Sequence, residues 1–258
     1  MATNSLSLPP SVLQRAPSPK MSERYVHINT QQVVELMKRE GFSPASILTP
    51  DRRKGGVDPM FSRHQIDFRR SDWVDSPRQD RRGGYTPRMI FTNSHDGTTA
   101  ASFMLGVFSF VCSNGLVIGS TYGAEKVRHT GETAAGLIGR VQALARNTAP
   151  MFAQIDLWQG KQLTAPQTRE FARLASVLRW GDPHRFQAQE VLKVRRAEDE
   201  AADLWTVFNR VQENTVRGGL TGMSVTGRSA TSRPLSEISG STVYNAQLWR
   251  LAEEFAAL

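Results

Sequence analysis

The chain has 258 residues, of which 39% are hydrophobic and 22% charged, and this length suits one large domain or two small ones. Its 12 Phe, 5 Trp and 4 Tyr exclude disorder throughout, while its single cysteine, Cys112, excludes a disulfide-stapled secreted module and favours a reducing compartment. Lys and Arg outnumber Asp and Glu by 32 to 24, and the resulting net charge of +8 favours a polyanionic partner such as nucleic acid.

No segment predicts contact with a membrane. The most apolar stretch, 101–118, contains serine, glycine and asparagine, and it is shorter than the roughly 20 apolar residues of a membrane-spanning helix. The N-terminus has no basic stretch leading into an apolar run, so we expect no signal peptide. These features predict a cytoplasmic protein without a membrane partner.

Composition divides the chain into a tail and a domain. Residues 1–23 are rich in Ser, Pro and Ala without an apolar period, which predicts a disordered tail. We expect residues 24–258 to form a single domain. Within it, 217–240 is rich in Gly, Ser and Thr and is predicted to be a flexible basic segment.

The first ordered elements are predicted to be a short strand and a helix. Residues 25–28 are typical of a strand, and Asn29 or Thr30 can cap a helix over 31–40. Gly41 follows, where a left-handed residue can end the helix.

The middle of the chain predicts strands. Residues 64–70 alternate between apolar and polar side chains, and Asp96-Gly97 is a hairpin signal between two apolar runs. The charged segments 51–63 and 71–86 are predicted to be loops. The remaining strand predictions are 88–92, 98–110, 116–118 and 125–129.

The last part of the chain predicts helices. Thr130 can cap one helix, which Pro150 should kink or split, and Thr164 with Pro166 can begin the next. Further helices are predicted over 198–216 and 242–257. The predicted fold class is therefore α+β, with a central antiparallel β-meander followed by packed helices.

The histidines are the candidates for a catalytic or metal-binding set. No two of them have a diagnostic ligand spacing, so structural roles are favoured over a metal centre built from His64, His95 and His129. Cys112 is predicted to pack in the core. No nucleotide-binding loop or carboxylate cluster is readable, so we expect no catalytic residues and no cofactor.

Basic segments make a stronger case for function. Ten Lys or Arg lie between Asp51 and Arg88, interleaved with aromatic residues that could stack on bases. The alternative is a solvated loop that its aromatic residues anchor to the core. The aromatic residues concerned are Phe61, Phe68, Trp73 and Tyr85.

A second basic segment runs from Arg217 to Arg233 without a carboxylate. It would order on a nucleic acid, whereas the alternative is a mobile linker between helices. The predicted nucleic-acid-binding residues of both segments and of the sheet-to-helix junction are Arg69, Arg70, Arg81, Arg82, Arg88, Lys126, Arg128, Arg217, Arg228 and Arg233.

Several runs resemble one family. They are 88–97, 110–116, 127–131, 204–214, the Arg217-Gly218-Gly219 motif and 245–254. Together they are similar to phage- and plasmid-borne proteins catalogued only as a domain of unknown function, over about residues 24–258. The resemblance implies a mobile-element protein of the bacterial cytoplasm and brings no catalytic residues. The order of strands followed by a helix is also similar to phage single-strand annealing recombinases of the RecT and Red-beta kind, at the level of the fold alone.

The leading hypothesis is a phage-type protein of recombination or replication that binds single-stranded DNA without covalent chemistry, anneals it, and forms a homo-oligomer. Two alternatives stay open. One is a metal-dependent hydrolase of nucleic acid, and the other is a non-enzymatic inhibitor of a host defence factor.

Overall fold

A computed structural model describes residues 7–49, 58–74, 85–109, 116–117, 124–127, 134–223, 227–235 and 238–258. The helices are α1 Pro10–Leu13, α2 Thr30–Arg39, α3 Ser71–Val74, α4 Ala134–Ala145, α5 Thr148–Gly160, α6 Ala165–Trp180, α7 Ala188–Val191, α8 Leu204–Arg217 and α9 Ile238–Ala256. The strands are β1 Phe42–Leu48, β2 His64–Arg70, β3 Tyr85–Asn93, β4 Ala101–Ser109, β5 Leu116–Val117, β6 Ala124–Val127, β7 Thr221–Met223 and β8 Ser229–Thr231. Strands that form an antiparallel sheet and then helices confirm the predicted α+β class.

The chain forms two compact units. The first takes the described residues within Met1–Ser76, Pro87–Gly106 and Tyr122–Thr148. The second takes those within Pro77–Thr86, Val107–Thr121 and Ala149–Leu258.

The larger sheet has the strand order β1-β2-β3-β4-β5, and β6 pairs with β4. Strands β1 and β2 are antiparallel, as are β2 and β3 and also β4 and β6. The register of β1 against β2 shifts between Pro44 and Ser46. Ile66, Phe68 and Phe91 are buried from β2 and β3, so the alternating face of the predicted strand 64–70 packs into the core.

Helix α2 confirms the helix predicted after Asn29. The Asn29 side chain accepts a hydrogen bond from the Gln32 backbone N–H, which satisfies one free donor of the first turn. Gly41 has φ of +83°, so a residue without Cβ suits the end of the helix. Residues 25–28, predicted to be a strand, are irregular because their polar groups bond to side chains and loops instead of to a strand.

The described part of the predicted tail, residues 7–23, makes contacts with the first unit. Ser11 and Val12 of α1 are buried, and the backbone N–H of Ser18 donates to the His95 carbonyl at 2.8 Å. The segment is placed by contacts with residues more than 70 positions away, which no local pattern could indicate. The prediction of one domain over 24–258 stays a prediction.

Local sequence signals set the helices of the second unit. Thr164 and Gln167 form a capping box at the start of α6, and Gly181 ends it with φ of +72°. The predicted split near Pro150 is the gap between α4 and α5. Pro150 itself lies in the first turn of α5, where the missing N–H has no intrahelical acceptor and costs little.

Helix α8 starts later than predicted. The Asp203 side chain accepts the Thr206 backbone N–H at 2.9 Å and caps the helix, while residues 197–199 form a separate 3-10 turn. The core beside α8 is aromatic: Trp205 stacks on Phe208 with centroids 5.6 Å apart, and Trp158 lies 4.3 Å from Trp249. Such ring pairs add to the free energy gained from the buried area.

The segment predicted to be flexible, 217–240, contains the antiparallel hairpin of β7 and β8. Ser232 N–H donates to the Leu220 carbonyl and Leu235 N–H to the Val216 carbonyl, which ties the hairpin to the end of α8. Among the helices of the described chain, none has the length and apolar content that a membrane crossing requires.

Candidate nucleic-acid interface

The first group of predicted cations lies on β2 and β3. The register pairs Phe68 with Met89, and continuing it by one residue places Arg69 opposite Arg88. Arg69 is exposed and makes no ion pair with a described residue, whereas Arg88 is half-buried. Burial, more than the positive charge of Arg69, lowers the pKa of Arg88, and Asp67 opposes this shift. Two neighbouring guanidinium groups on one sheet face favour an anionic partner.

Asp67 limits this positive charge. Ser46 donates to its Oδ2 at 2.7 Å and Gln65 to its Oδ1 at 3.0 Å. Burial raises the pKa of Asp67, while these bonds and Arg88 act in the opposite direction. Arg69 therefore keeps its charge available, and Arg88 shares its charge with Asp67.

Arg70 is engaged within the protein. Its guanidinium bonds to both carboxylate oxygens of Asp72, at 2.9 and 2.6 Å, and lies over the rings of Phe42 and Trp73. A paired and stacked guanidinium is a weaker phosphate ligand than a free one, because a partner must first displace the carboxylate.

The structure does not support base stacking by three of the four predicted aromatic residues, whereas Phe61 is half-buried. Phe68 is fully buried, and Trp73 and Tyr85 are 8% and 3% exposed. Tyr85 contacts Phe152 and Trp205 in the core of the second unit. For these three residues, the interpretation as core anchors is the correct one.

The second group of predicted cations surrounds the β7–β8 hairpin. Arg217, Arg228 and Arg233 are all exposed, and the sequence from 217 to 235 holds no carboxylate. Arg217 lies 3.5 Å from Oε1 of Glu213, so this cation is partly paired.

Glycines and one arginine anchor the hairpin to the unit. A Cβ on Gly218 would lie 2.7 Å from the backbone of Arg233 and Pro234, so only glycine permits this approach. A Cβ on Gly222 would lie 2.2 Å from the Arg185 carbonyl oxygen. Arg179 donates to the carbonyls of Thr215 and Arg233. The glycines therefore serve the close packing of the hairpin on the unit.

The polar run of α8, which carries part of the family resemblance, is buried. Glu213 pairs with Arg196, which also lies 3.3 Å from Asp199. Asn214 donates to the carbonyls of Val191 and Lys193. These side chains hold the segment that precedes α8, so their role is structural.

Several predicted residues carry no side-chain description. For Lys126, only the backbone is described: it lies opposite Ser102 in the register of β6 against β4. Arg81, Arg82, Arg128 and His129 lie outside the described residues, as does Cys112.

His64 and His95, two histidines of the metal-site alternative, lie close together. His27, which that alternative did not include, lies beside them. The ring centroids of His64 and His95 are 5.3 Å apart, and those of His27 and His95 are 4.7 Å apart. His64 and His95 are fully buried in the first unit.

Hydrogen bonds occupy both nitrogens of each buried ring. His95 Nε2 lies 2.8 Å from the Ser11 carbonyl, so Nε2–H is the donor, and Nδ1 accepts from His27 Nε2–H at 3.1 Å. His64 donates from Nδ1 to the Ser62 carbonyl and accepts the Thr30 hydroxyl at Nε2, 2.8 Å away.

These bonds use the lone pairs that a metal would need. Burial lowers the pKa of His64 to about 4, which keeps the ring neutral near pH 7. Within the described residues, no three His, Cys, Asp or Glu side chains form a group that could hold a metal ion. The described part of the histidine set is a packing and hydrogen-bonding core.

One cationic feature had no sequence prediction. A cleft of about 560 Å³ lies between α6 and the segment 183–189. Arg169 and Arg173 line it from α6, and His184 lines it from the facing segment. The spacing of four residues between the two arginines places them on one helix face, and this was the available signal.

Comparison with known proteins finds similarity to one family and to two relatives along most of the chain. A family profile described as "Domain of unknown function (DUF932)" matches residues 19–249. Two relatives from Escherichia coli (strain K12), UPF0380 protein YafZ and UPF0380 protein YfjQ, are each 31% identical over 250 residues. These alignments cover 95% of this chain and 87% of each relative. No solved structure matches the chain.

Proposed function

The chain belongs to the family described as Domain of unknown function (DUF932), a membership that assigns no activity, and we propose that it is a phage-type protein that binds single-stranded DNA through phosphate contacts. It acts in recombination or replication in the bacterial cytoplasm, without covalent chemistry. It brings complementary strands together as a homo-oligomer.

The observation that carries this proposal is the basic hairpin. Arg217, Arg228 and Arg233 project from a segment without a carboxylate, and close backbone packing at Gly218 and Gly222 fixes that segment. A cationic segment held by close packing binds phosphates at a lower ordering cost than an unanchored one.

The sheet face of the first unit supports a second contact. Arg69 is exposed opposite half-buried Arg88, and their like charges repel. A phosphate beside them would relieve this repulsion. Because Phe68, Trp73 and Tyr85 are buried, binding should depend on phosphate charge and only weakly on base identity.

Salt-dependent binding tests the proposal. The affinity for a labelled single-stranded oligonucleotide is measured by fluorescence anisotropy from low to physiological salt. Six phosphate contacts predict a log–log slope of about −4, from roughly −0.7 per contact. The triple variant R217Q/R228Q/R233Q should weaken binding at least about tenfold at low salt and reduce the slope by about 2.

A charge-matched variant controls for net charge. Lys20, Arg24 and Lys38 are exposed residues of the first unit outside the predicted interface. The variant K20Q/R24Q/K38Q removes the same three charges and should change the affinity less than about threefold, since these side chains belong to no predicted phosphate contact and salt screens their remaining charge. Equal losses in both triple variants, or a flat salt response, would contradict the hairpin as a binding element.

Annealing and assembly need their own measurement. Two complementary labelled strands should pair faster with the protein than without it, and the protein–DNA species should elute larger than a one-to-one complex. Tight binding without faster pairing would limit the function to single-strand binding.

A further inference from the structure

The cleft beside α6 has a charge pattern suited to a compact anion. Arg173 donates to both carboxylate oxygens of Glu170, each at 2.7 Å, so these two charges offset each other. Arg169 is exposed and has no ion pair with a described residue. The charged side chains of the lining therefore sum to one positive charge with His184 neutral, or two with it protonated.

Neutral donors complete the lining. Gln187 and Gln189 can each present an amide NH₂ from the segment that faces α6. Pro166 and Pro183 border the cleft and restrict its backbone. In addition, the His184 backbone N–H donates to Asp182, which fixes the turn that presents the histidine.

The segment 183–189, which lines the cleft, also contacts the basic hairpin. The Met223 N–H donates to the Arg185 carbonyl, and Phe186 forms a β-bridge with Gly222. The same short segment therefore forms one wall of the cleft and the support of β7. A strand bound along the hairpin would therefore lie beside the segment that lines the cleft.

We propose that this cleft binds a phosphomonoester, namely the phosphorylated end of the nucleic-acid strand that the hairpin holds. This inference rests on the proposed function and specifies its substrate. Arg169 supplies the main charge, and His184 with Gln187 supplies further donors, while Arg173 contributes only the guanidinium N–H groups that Glu170 does not occupy.

Charge distinguishes a strand end from its interior. A terminal phosphate carries a charge near −2 at pH 7, since its second pKa is about 6, whereas a diester within the strand carries −1. A site with one net positive charge and several converging donors therefore favours the monoester. A cleft of about 560 Å³ also accommodates a nucleotide-sized group.

The test compares three oligonucleotides of one sequence, carrying a 5′-phosphate, a 3′-phosphate or neither. One phosphorylated form should bind at least about fivefold tighter than the unphosphorylated form, and R169Q should bring that ratio close to one. K193Q removes an exposed cation of the same unit outside the cleft and should keep the ratio. A mononucleotide, dTMP, serves as a probe of the cleft alone.

The outcomes separate this inference from the proposed function. Oligonucleotide binding with equal affinities for all three forms would overturn the inference and leave the proposed function intact. Saturable binding of dTMP that R169Q abolishes, without oligonucleotide binding, would support the cleft as a phosphomonoester site and overturn the proposed function. A ratio that survives in R169Q would overturn the assignment of the cleft.

Discussion

Nε2 of His27 lies 3.1 Å from Nδ1 of His95, a bond between residues 68 positions apart. His95 also receives the Ser18 N–H at its carbonyl, donates its own N–H to the Phe61 carbonyl and donates Nε2–H to Ser11. One residue thus connects the N-terminal segment, the loop before β2 and the turn after β3. The Asn-Ser-His-Asp-Gly run that begins at position 93, part of the family resemblance, has a structural role in this connection.

Replacing His95 with alanine should release the N-terminal segment. The variant leaves the buried Ser11 carbonyl without its donor, which costs about 1–3 kcal/mol. We expect a lower Tm and faster tryptic cleavage within 15–24. H184A, which changes an exposed histidine of the second unit, is the control and should leave both measurements unchanged. An unaltered cleavage pattern in H95A would show that other contacts hold the segment.

Acid should weaken the fold through His64. The pKa of this buried imidazole is about 4 in the folded chain, below the ordinary 6.5, so the folded state resists protonation. The stabilisation is complete above pH 6.5 and is lost as the pH falls towards 4, by up to about 1.4 kcal/mol per pH unit.

Urea titrations at several pH values measure this effect. Asp67 acts in the opposite direction, because burial raises the pKa of its carboxyl, so the two contributions partly cancel in the wild type. The difference between wild type and H64Q isolates the histidine and should shrink as the pH drops from 6.5 to 4. A difference independent of pH would exclude His64 as the titrating group.

Gly218 and Gly219 are adjacent glycines that separate the cost of a positive φ from the cost of a steric clash. Both have positive φ, +74° and +81°, but only a Cβ on Gly218 would collide with backbone atoms, at 2.7 Å from the Arg233–Pro234 peptide. G219A should cost about 1–2 kcal/mol from the left-handed conformation alone. G218A should cost roughly 1–3 kcal/mol more, from forced displacement of the hairpin. Chemical denaturation of both variants checks the order, and equal losses would refute the close approach.

Glu213 and Glu170 compare a buried with an exposed ion pair. Glu213 is 3% exposed and pairs with Arg196, whose other carboxylate neighbour is Asp199. E213Q should cost about 2 kcal/mol, less than the 3–5 typical of a broken buried pair, because Asp199 still partners the guanidinium. E170Q breaks a solvent-exposed pair and should change the free energy of unfolding much less than E213Q, because water screens the charges. Similar losses in both variants, measured by urea unfolding, would contradict the structural role of Glu213.

Elements with local signals were predictable from the sequence. The caps of α2 and α6 consist of neighbouring residues, Asn29 with Gln32 and Thr164 with Gln167, so a short window contains the whole interaction. Strand β2 was predicted with its observed bounds because its alternation is local as well.

Elements defined by distant partners were not predictable. Strand β1 contains Pro44 and little β-branched sequence, and its strand conformation depends on pairing with β2. Helix α8 starts at Leu204 and not near Glu198, because the Asp203 side chain caps it there. Backbone hydrogen bonds with Leu163 and Lys161, which are distant in sequence, also hold the turn before the helix. The burial of the predicted stacking rings and the convergence of the histidines likewise depend on tertiary packing.

The terminal position of β1 in the sheet limits how copies of this protein can associate. Pro44 offers no N–H, and the register shift between Pro44 and Ser46 interrupts the regular spacing of donors and acceptors along the strand. A neighbouring copy would find no continuous ladder here, so end-to-end growth of the sheet into fibrils is disfavoured at this edge. A ring or filament of this protein would have to be joined through other surfaces.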